Sequence, residues 1–173
     1  MHLRPLLLMV LGHTVVDISQ NVLPVILPLW HARFGLNYAQ VGLVAALLNL
    51  SSSIIQPVFG WISDRWGIQW FIPVGIVWTG ILMGSVGLVP SYWTLLLVVT
   101  LTGVGTAAFH PIASMAAAHA SQARRGLGMS LFSAGGNLGF ATGPILMTWL
   151  LLWFDLRGTI LLVALGLLTA SLI

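Results

Sequence analysis

The sequence predicts an all-α membrane protein, a bundle of about six transmembrane helices. Hydrophobic residues make up 58% of the 173 residues and charged residues only 5%, whereas a soluble globular domain is about 25% charged. The apolar runs are continuous and longer than the alternating segments of about 10 residues that build a membrane β-barrel. Since a spanning helix needs roughly 20 apolar residues, the length allows about six spans joined by short loops.

The apolar runs set the boundaries of these spans. The predicted spans are residues 5–30, 38–63, 69–89, 93–119, 127–154 and 159–173. The sixth holds about 15 residues, which is short for a span, so we expect the sequence to be cut inside that helix. With the N-terminus inside, the inner loops hold four of the six arginines, Arg4, Arg65, Arg124 and Arg125. This bias predicts a cytoplasmic N-terminus.

The first span has an unusually polar middle. His13, Asp17 and Asn21 are spaced by four residues and therefore share one helix face. A charged carboxylate near mid-membrane costs about 2.5–3.5 kcal/mol on insertion scales, so Asp17 must face a cavity or a partner. We expect Asp17 and His13 to exchange protons and Asn21 to contact a substrate.

Polar residues in three other spans are further candidates. Asn49 and Gln56 lie on one face of the second span, and Asn137 lies in the fifth. This placement favours a cavity, although a polar stripe also allows close helix packing. In the fourth span, Pro111 frees a backbone carbonyl and kinks the helix beside His110. His110 is either a proton or substrate site, or a buried histidine hydrogen-bonded across helices.

Two groups of glycines predict structural roles. In the fifth span, Gly135, Gly139 and Gly143 fall on one face, followed by Pro144, and such a seam of small residues brings two helices close together.

The octet 60–67 places an acid and a base between two apolar runs, bracketed by glycines. Its candidate residues are Gly60, Asp64, Arg65 and Gly67. We expect Asp64 and Arg65 in a membrane-surface loop, bonded to neighbouring helix ends; the alternative is a polar turn whose side chains reach the headgroups.

The octet Gly-x-x-Ser-Asp-Arg-x-Gly resembles the loop signature of the major facilitator superfamily of transporters, and three further stretches resemble its fosmidomycin-resistance-like branch. These stretches are His13-Thr14-Val15-Val16-Asp17, Phe109-His110-Pro111 and residues 130–139. Gly139-x-x-x-Gly143-Pro144 is similar to the antiporter signature of that superfamily. The resemblance implies that residues 1–173 form the N-terminal six-helix half of a twelve-helix fold built from 3+3 inverted repeats.

The sequence departs from this branch after Phe109-His110-Pro111. The branch usually carries Glu next and Arg three residues later, where this chain has Ile112 and Met115. If that pair carries coupling in the family, Asp17 and His13 are the titratable pair that remains here.

The resemblance implies a proton-coupled exporter of small molecules in a bacterial inner membrane. Its expected partners are lipid, a small-molecule substrate, protons, and a C-terminal half or a second copy of the chain. The arginines at helix ends suit anionic lipid headgroups rather than nucleic acid. We expect no cofactor and no metal site, because the sequence has no H-E-x-x-H or G-x-S-x-G motif. A membrane-embedded enzyme and a non-transporting scaffold remain the alternatives.

Overall fold

The computed structural model describes residues 1–173, which are helical almost throughout and contain no strand. The α-helices are α1 (Leu3–Asn21), α2 (Leu23–Phe34), α3 (Tyr38–Trp66), α4 (Phe71–Ser85), α5 (Tyr92–Ser121), α6 (Arg125–Phe154) and α7 (Leu161–Leu172). Short 3₁₀ turns follow α4, α5 and α6 at Val86–Leu88, Gln122–Arg124 and Asp155–Ile160. The prediction of an all-helical membrane protein is confirmed.

Four continuous helical stretches are long and apolar enough to cross a membrane. They are Leu3–Phe34, Tyr38–Trp66, Phe71–Leu88 and Tyr92–Leu172. The last stretch holds 81 residues because only 3₁₀ turns separate α5, α6 and α7 within it.

The first predicted span consists of two helices. α1 and α2 are separated at Val22, because Pro24 has no N–H to donate to the helix ladder. The N–H of Val25 bonds instead to the carbonyl of Val22 at 3.2 Å, as in a 3₁₀ turn. α2 then continues to Phe34, and Gly35 ends it in the left-handed conformation, with φ 61°.

The starts of α3 and α5 follow from capping residues. At the start of α3, the Asn37 side chain accepts from the N–H of Gln40, whose side chain accepts from the N–H of Asn37. Ser91 and Thr94 form the same reciprocal arrangement at the start of α5. These capping boxes satisfy backbone donors that a helix start otherwise leaves unpaired.

The structure corrects the expected loop position of Asp64 and Arg65. Both lie in the last turn of α3, which ends only at Gly67, where φ is 62° and the N–H bonds to the carbonyl of Ser63 at 2.7 Å. Glycine adopts this left-handed cap without steric cost, so the helix continues until it reaches one. Neither side chain is hydrogen-bonded or ion-paired to a neighbouring helix, and the Arg65 guanidinium lies 5.7 Å from the Trp61 ring centroid.

The most extensive helix contacts are those of α1 with α6 and of α3 with α5. The glycine seam of α6 lies against α1. A Cβ built on Gly135 would stand 2.8 Å from the carbonyl oxygen of Val10, and one on Gly143 would stand 2.8 Å from that of Ile18. Gly60, in α3, faces Pro111 of α5 at an ordinary contact distance of 3.8 Å.

Two apolar clusters enclose the middle of the bundle. One contains 17 buried residues, with Trp30 among the largest, and the other contains 12, with Phe109 among the largest. Along α1, Val16 belongs to the second cluster and Val22 to the first. The polar residues between these two positions therefore lie where the two clusters meet.

Replacing Gly139 by leucine should destabilise the fold. A Cβ there would stand 2.9 Å from the Cβ of Asp17 and closer still to the backbone of Thr14, and a helix backbone cannot move aside as a side chain can. Overpacking of this kind costs about 1–3 kcal/mol or more. We expect a lower melting temperature and aggregation in size-exclusion chromatography in detergent.

Gly126→Leu is the matched control, because Gly126 lies in the same helix and has nothing within 4 Å of its Cβ position. This control should behave like the wild-type protein. Equal melting temperatures for Gly139→Leu, Gly126→Leu and wild type would contradict the close contact between α1 and α6.

Candidate functional site

The carboxylate of Asp17 lies between two imidazoles. Its Oδ2 is 3.4 Å from Nε2 of His13, and its Oδ1 is 3.4 Å from Nε2 of His110. α1 supplies His13 and Asp17 one turn apart, and α5 supplies His110 immediately before Pro111. The three side chains are 12%, 17% and 21% exposed for His13, Asp17 and His110. We refer to these three residues as the His–Asp–His cluster.

A backbone carbonyl fixes the orientation of the His13 ring. Nδ1 of His13 lies 2.8 Å from the carbonyl oxygen of Phe132. A carbonyl only accepts, so Nδ1 carries the proton and donates it. In a neutral imidazole the other nitrogen then has a lone pair, and Nε2 points that lone pair at Asp17. A proton or a cation between Nε2 and the carboxylate makes this contact attractive.

Aromatic rings hold the two histidines. The His13 ring stacks on Phe132 with ring centroids 4.1 Å apart and an interplanar angle of 24°. The His110 ring meets the His13 ring edge-on, with centroids 5.0 Å apart. Each histidine is therefore positioned by a second ring as well as by its contact with Asp17.

Gly136 makes room for the cluster. A Cβ built at this position would stand 2.5 Å from Cε1 of His13 and 2.8 Å from Oδ2 of Asp17. Only a hydrogen atom fits between α6 and these side chains. The sequence prediction missed Gly136, because this residue is not one of the glycines spaced four apart that form the seam. The only feature of the sequence that could have indicated it is the adjacent pair Gly135-Gly136.

A cavity of about 310 Å³ opens beside the cluster. It is lined by residues of α1, α2, α3, α5 and α6, namely Asp17, Gln20, Asn21, Leu23, Pro24, Leu27, Ala45, Leu48, Asn49, His110 and Phe140. Nδ2 of Asn21 donates to the backbone carbonyl of Asp17 at 2.9 Å, and Nε2 of Gln20 donates to Oγ1 of Thr106 at 2.7 Å. The side-chain oxygens of Asn21 and Asn49 accept no hydrogen bond within the protein, so both can accept one from a ligand.

The structure brings together only some of the residues predicted as a site. Asp17, Asn21, Asn49 and His110 line the cavity, and His13 lies behind Asp17. Gln56 is half-buried and lies outside the cavity wall, about two turns beyond Asn49 in α3. Asn137 is exposed and lies outside it as well.

Two further polar or aromatic residues line the cavity. Gln20 and Phe140 are part of its wall, but neither was among the predicted site residues. Gln20 is one of several polar residues in an otherwise apolar span, and that composition was its only signal. An aromatic residue such as Phe140 does not stand out in a sequence with 10% aromatic residues.

Long apolar helices around a polar cavity are the architecture of a membrane transport protein. The sequence profile of the Major Facilitator Superfamily matches residues 9–173, and the chain belongs to this family. Members of the family are transporters embedded in a lipid bilayer. The resemblance predicted from the octet 60–67 is therefore confirmed.

The chain is similar in sequence to several bacterial proteins, of which three are described here. It is 36% identical over 136 residues to the fosmidomycin resistance protein of Escherichia coli (strain K12), covering 79% of the chain and 34% of that protein. It is 35% identical over 162 residues to an uncharacterised MFS-type transporter, YfnC, of Bacillus subtilis (strain 168), covering 87% and 39%. It is 26% identical over 168 residues to the multi-drug resistance efflux pump PmrA of Streptococcus pneumoniae, covering 94% and 42%.

The chain thus spans between 34% and 42% of the length of these relatives.

Replacing Gly136 by alanine should disturb the His–Asp–His cluster. The added methyl group would overlap the His13 imidazole and the Asp17 carboxylate, so one of them must move. We expect about 1–3 kcal/mol of destabilisation, as for other overpacked sites, and loss of the His13 hydrogen bond to Phe132. The measurements are thermal melting in detergent and the ¹⁵N resonance of His13 Nδ1.

The control is Gly126→Ala, in the open first turn of α6. It should leave both the melting temperature and the His13 resonance unchanged. An unchanged His13 resonance in Gly136→Ala would show that the cluster tolerates a methyl group and would contradict this packing.

Proposed function

We propose that the chain is the N-terminal six-helix half of a secondary active transporter that exports small molecules in exchange for protons. Membership of the Major Facilitator Superfamily supports transport. The names of two relatives, a fosmidomycin resistance protein and a multi-drug resistance efflux pump, support export of small molecules.

The observation that carries this proposal is the Asp17 carboxylate between two imidazoles in the wall of a cavity. Keeping a charged group at membrane depth costs free energy, and such groups commonly form proton relays in transporters. With Nδ1 of His13 donating to Phe132, one proton shared between Nε2 and Asp17 satisfies both groups. Gain or loss of that proton changes the charge of the cavity wall.

Substrate and proton then act on the same surface. Asn21 and Asn49 face the cavity near Asp17 and offer amide groups to a polar substrate. A proton on Asp17 removes the negative charge beside that substrate, and its release restores the charge. This alternation links proton binding to substrate release, which is the requirement for exchange.

A second six-helix half, or a second copy of the chain, would close the cavity. Asn137 and Phe140 are exposed on α6, and Asn49 is exposed on α3. Alternating access in this family rocks one bundle against another around a central site. Asn137 and Gln56 are proposed to contact substrate from positions outside the cavity wall of this half.

The pattern of helix contacts supports a 3+3 inverted repeat. A repeat that relates the first three spans to the last three pairs α1 with α5 and α3 with α6. The contact of α1 with α6 then corresponds to the contact of α5 with α3, and these are the two most extensive contacts in the bundle. It also relates α1 to α5, the helices that carry His13 and His110. Both histidines point to the same carboxylate.

The arginine distribution and the bacterial relatives support an inner-membrane location with the N-terminus in the cytoplasm.

Cysteine labelling tests this orientation. The chain has no cysteine, so the labelling of a single introduced cysteine shows on which side of the membrane that one position lies. In intact spheroplasts, a membrane-impermeant maleimide should label Tyr38→Cys, whose position is 86% exposed. It should label Gly126→Cys only after permeabilisation. The opposite pattern would reverse the orientation.

Replacing Asp17 by asparagine tests the coupling role. The change keeps the shape and removes the titrating carboxyl, so we expect substrate binding to persist while pH-driven accumulation is lost. Uptake of fosmidomycin and of a multidrug dye is measured in inverted membrane vesicles under an imposed pH gradient. The control is Asp155→Asn, an exposed position with φ 53° that asparagine tolerates.

Asp155→Asn should transport like the wild type. Undiminished pH-driven uptake by Asp17→Asn would remove Asp17 from the mechanism and transfer the role to the histidines.

A further inference from the structure

We propose that the His–Asp–His cluster is also a binding site for a divalent transition-metal ion of the Zn²⁺ class. The ligands are Nε2 of His13, Nε2 of His110 and the carboxylate of Asp17. This site goes beyond the proposed transport function, because it concerns the occupancy of the cluster by a metal rather than by a proton.

The spacing of the donor atoms suits such an ion. The two nitrogen–oxygen distances are both 3.4 Å, and one donor atom from each residue lies within 4.8 Å of the others. In a tetrahedral zinc site with arms of about 2.0–2.2 Å, neighbouring donor atoms lie roughly 3.3–3.5 Å apart. The two 3.4 Å distances end on different oxygens of the Asp17 carboxylate, so small side-chain rotations would bring one oxygen and both Nε2 atoms to this spacing.

The His13 ring already has the orientation of a metal ligand. Metal-binding histidines usually donate their second ring N–H to a carboxylate or a backbone carbonyl, which directs the other nitrogen at the metal. Nδ1 of His13 makes this bond to the Phe132 carbonyl at 2.8 Å. Its Nε2 lone pair therefore faces a carboxylate oxygen, an arrangement that a cation between them stabilises.

The surroundings leave room for a fourth ligand. Asp17 and His110 line the cavity of about 310 Å³, so a water molecule or a ligand can reach a metal bound there. Two histidines and a carboxylate with an open fourth position match the donor set of zinc sites that keep a water molecule or a substrate as the fourth ligand. Imidazole nitrogen favours Zn²⁺, Co²⁺ or Ni²⁺ over Mg²⁺ and Ca²⁺, which prefer oxygen ligands.

The sequence carries no sign of this site. His13 and Asp17 are one turn apart, but His110 lies far along the chain on another helix. Linear motifs such as H-E-x-x-H detect ligands on one helix only. The packing of α1 against α5 supplies the third ligand.

The test is a Co²⁺ titration of the full chain, purified in detergent with no polyhistidine tag. We expect one Co²⁺ per chain and the intense visible absorption bands of four- or five-coordinate Co²⁺, displaced by Zn²⁺. His110→Gln and His13→Gln should each weaken binding by at least the roughly 10–100-fold that loss of an outer-shell partner causes. A triple variant, His2→Gln/His31→Gln/His119→Gln, removes the other three of the five histidines and should bind as wild type does.

Equal Co²⁺ binding by the wild type and both cluster variants, or loss of binding only in the triple variant, would overturn the proposal. If a cluster variant fails to fold, a second test uses the wild-type protein alone. Since a ligand that binds only the folded state raises its stability, saturating Zn²⁺ should raise the melting temperature, and no shift would also overturn the proposal. Both readouts record metal occupancy in detergent, so their outcome is independent of proton-coupled uptake.

Discussion

The close contact between α1 and α6 is the constraint on which the rest of the bundle depends. Lipid chains are as apolar as leucine, so helices in a bilayer gain little from hydrophobic burial and associate mainly through tight packing and interhelical hydrogen bonds. Gly135, Gly139 and Gly143 let the α6 backbone approach α1 closely. The hydroxyl of Thr14 donates to the carbonyl oxygen of Gly135 at 2.9 Å across this contact.

The functional cluster is a product of that contact. The same approach that places Gly135 against Val10 brings the Phe132 carbonyl within hydrogen-bonding distance of His13 and leaves Gly136 beside Asp17. α5 then supplies His110, whose ring also meets the His13 ring edge-on. A carboxylate that would be costly in lipid thus lies 3.4 Å from the Nε2 atom of each of two histidines.

Much of the fold could be predicted because local spacing in a membrane protein has few interpretations. The seam of α6 and the polar face of α1 both follow from residues four apart on a helix. The break at Val22 and the end of α3 could not be placed as closely, since they depend on which backbone groups find partners near Pro24 and at Gly67. Gln56 was predicted from its place on the same helix face as Asn49, and Asn137 from its polar side chain in an apolar span. Neither lines the cavity of this half, because spacing and residue type do not determine how far along a helix a cavity extends. The meeting of His110 with Asp17 depends on long-range packing, which no local pattern encodes.

The hydrogen bond from His13 to Phe132 has a mechanical consequence. Its 2.8 Å length lies near the short end of the usual range of about 2.7–3.2 Å, so a displacement of α6 relative to α1 by roughly half an ångström along the N–O direction would break it. The imidazole is then free to exchange tautomers, and Nε2 becomes a donor to Asp17 instead of an acceptor. A displacement between two helices would in this way change which atom of a single ring holds a proton.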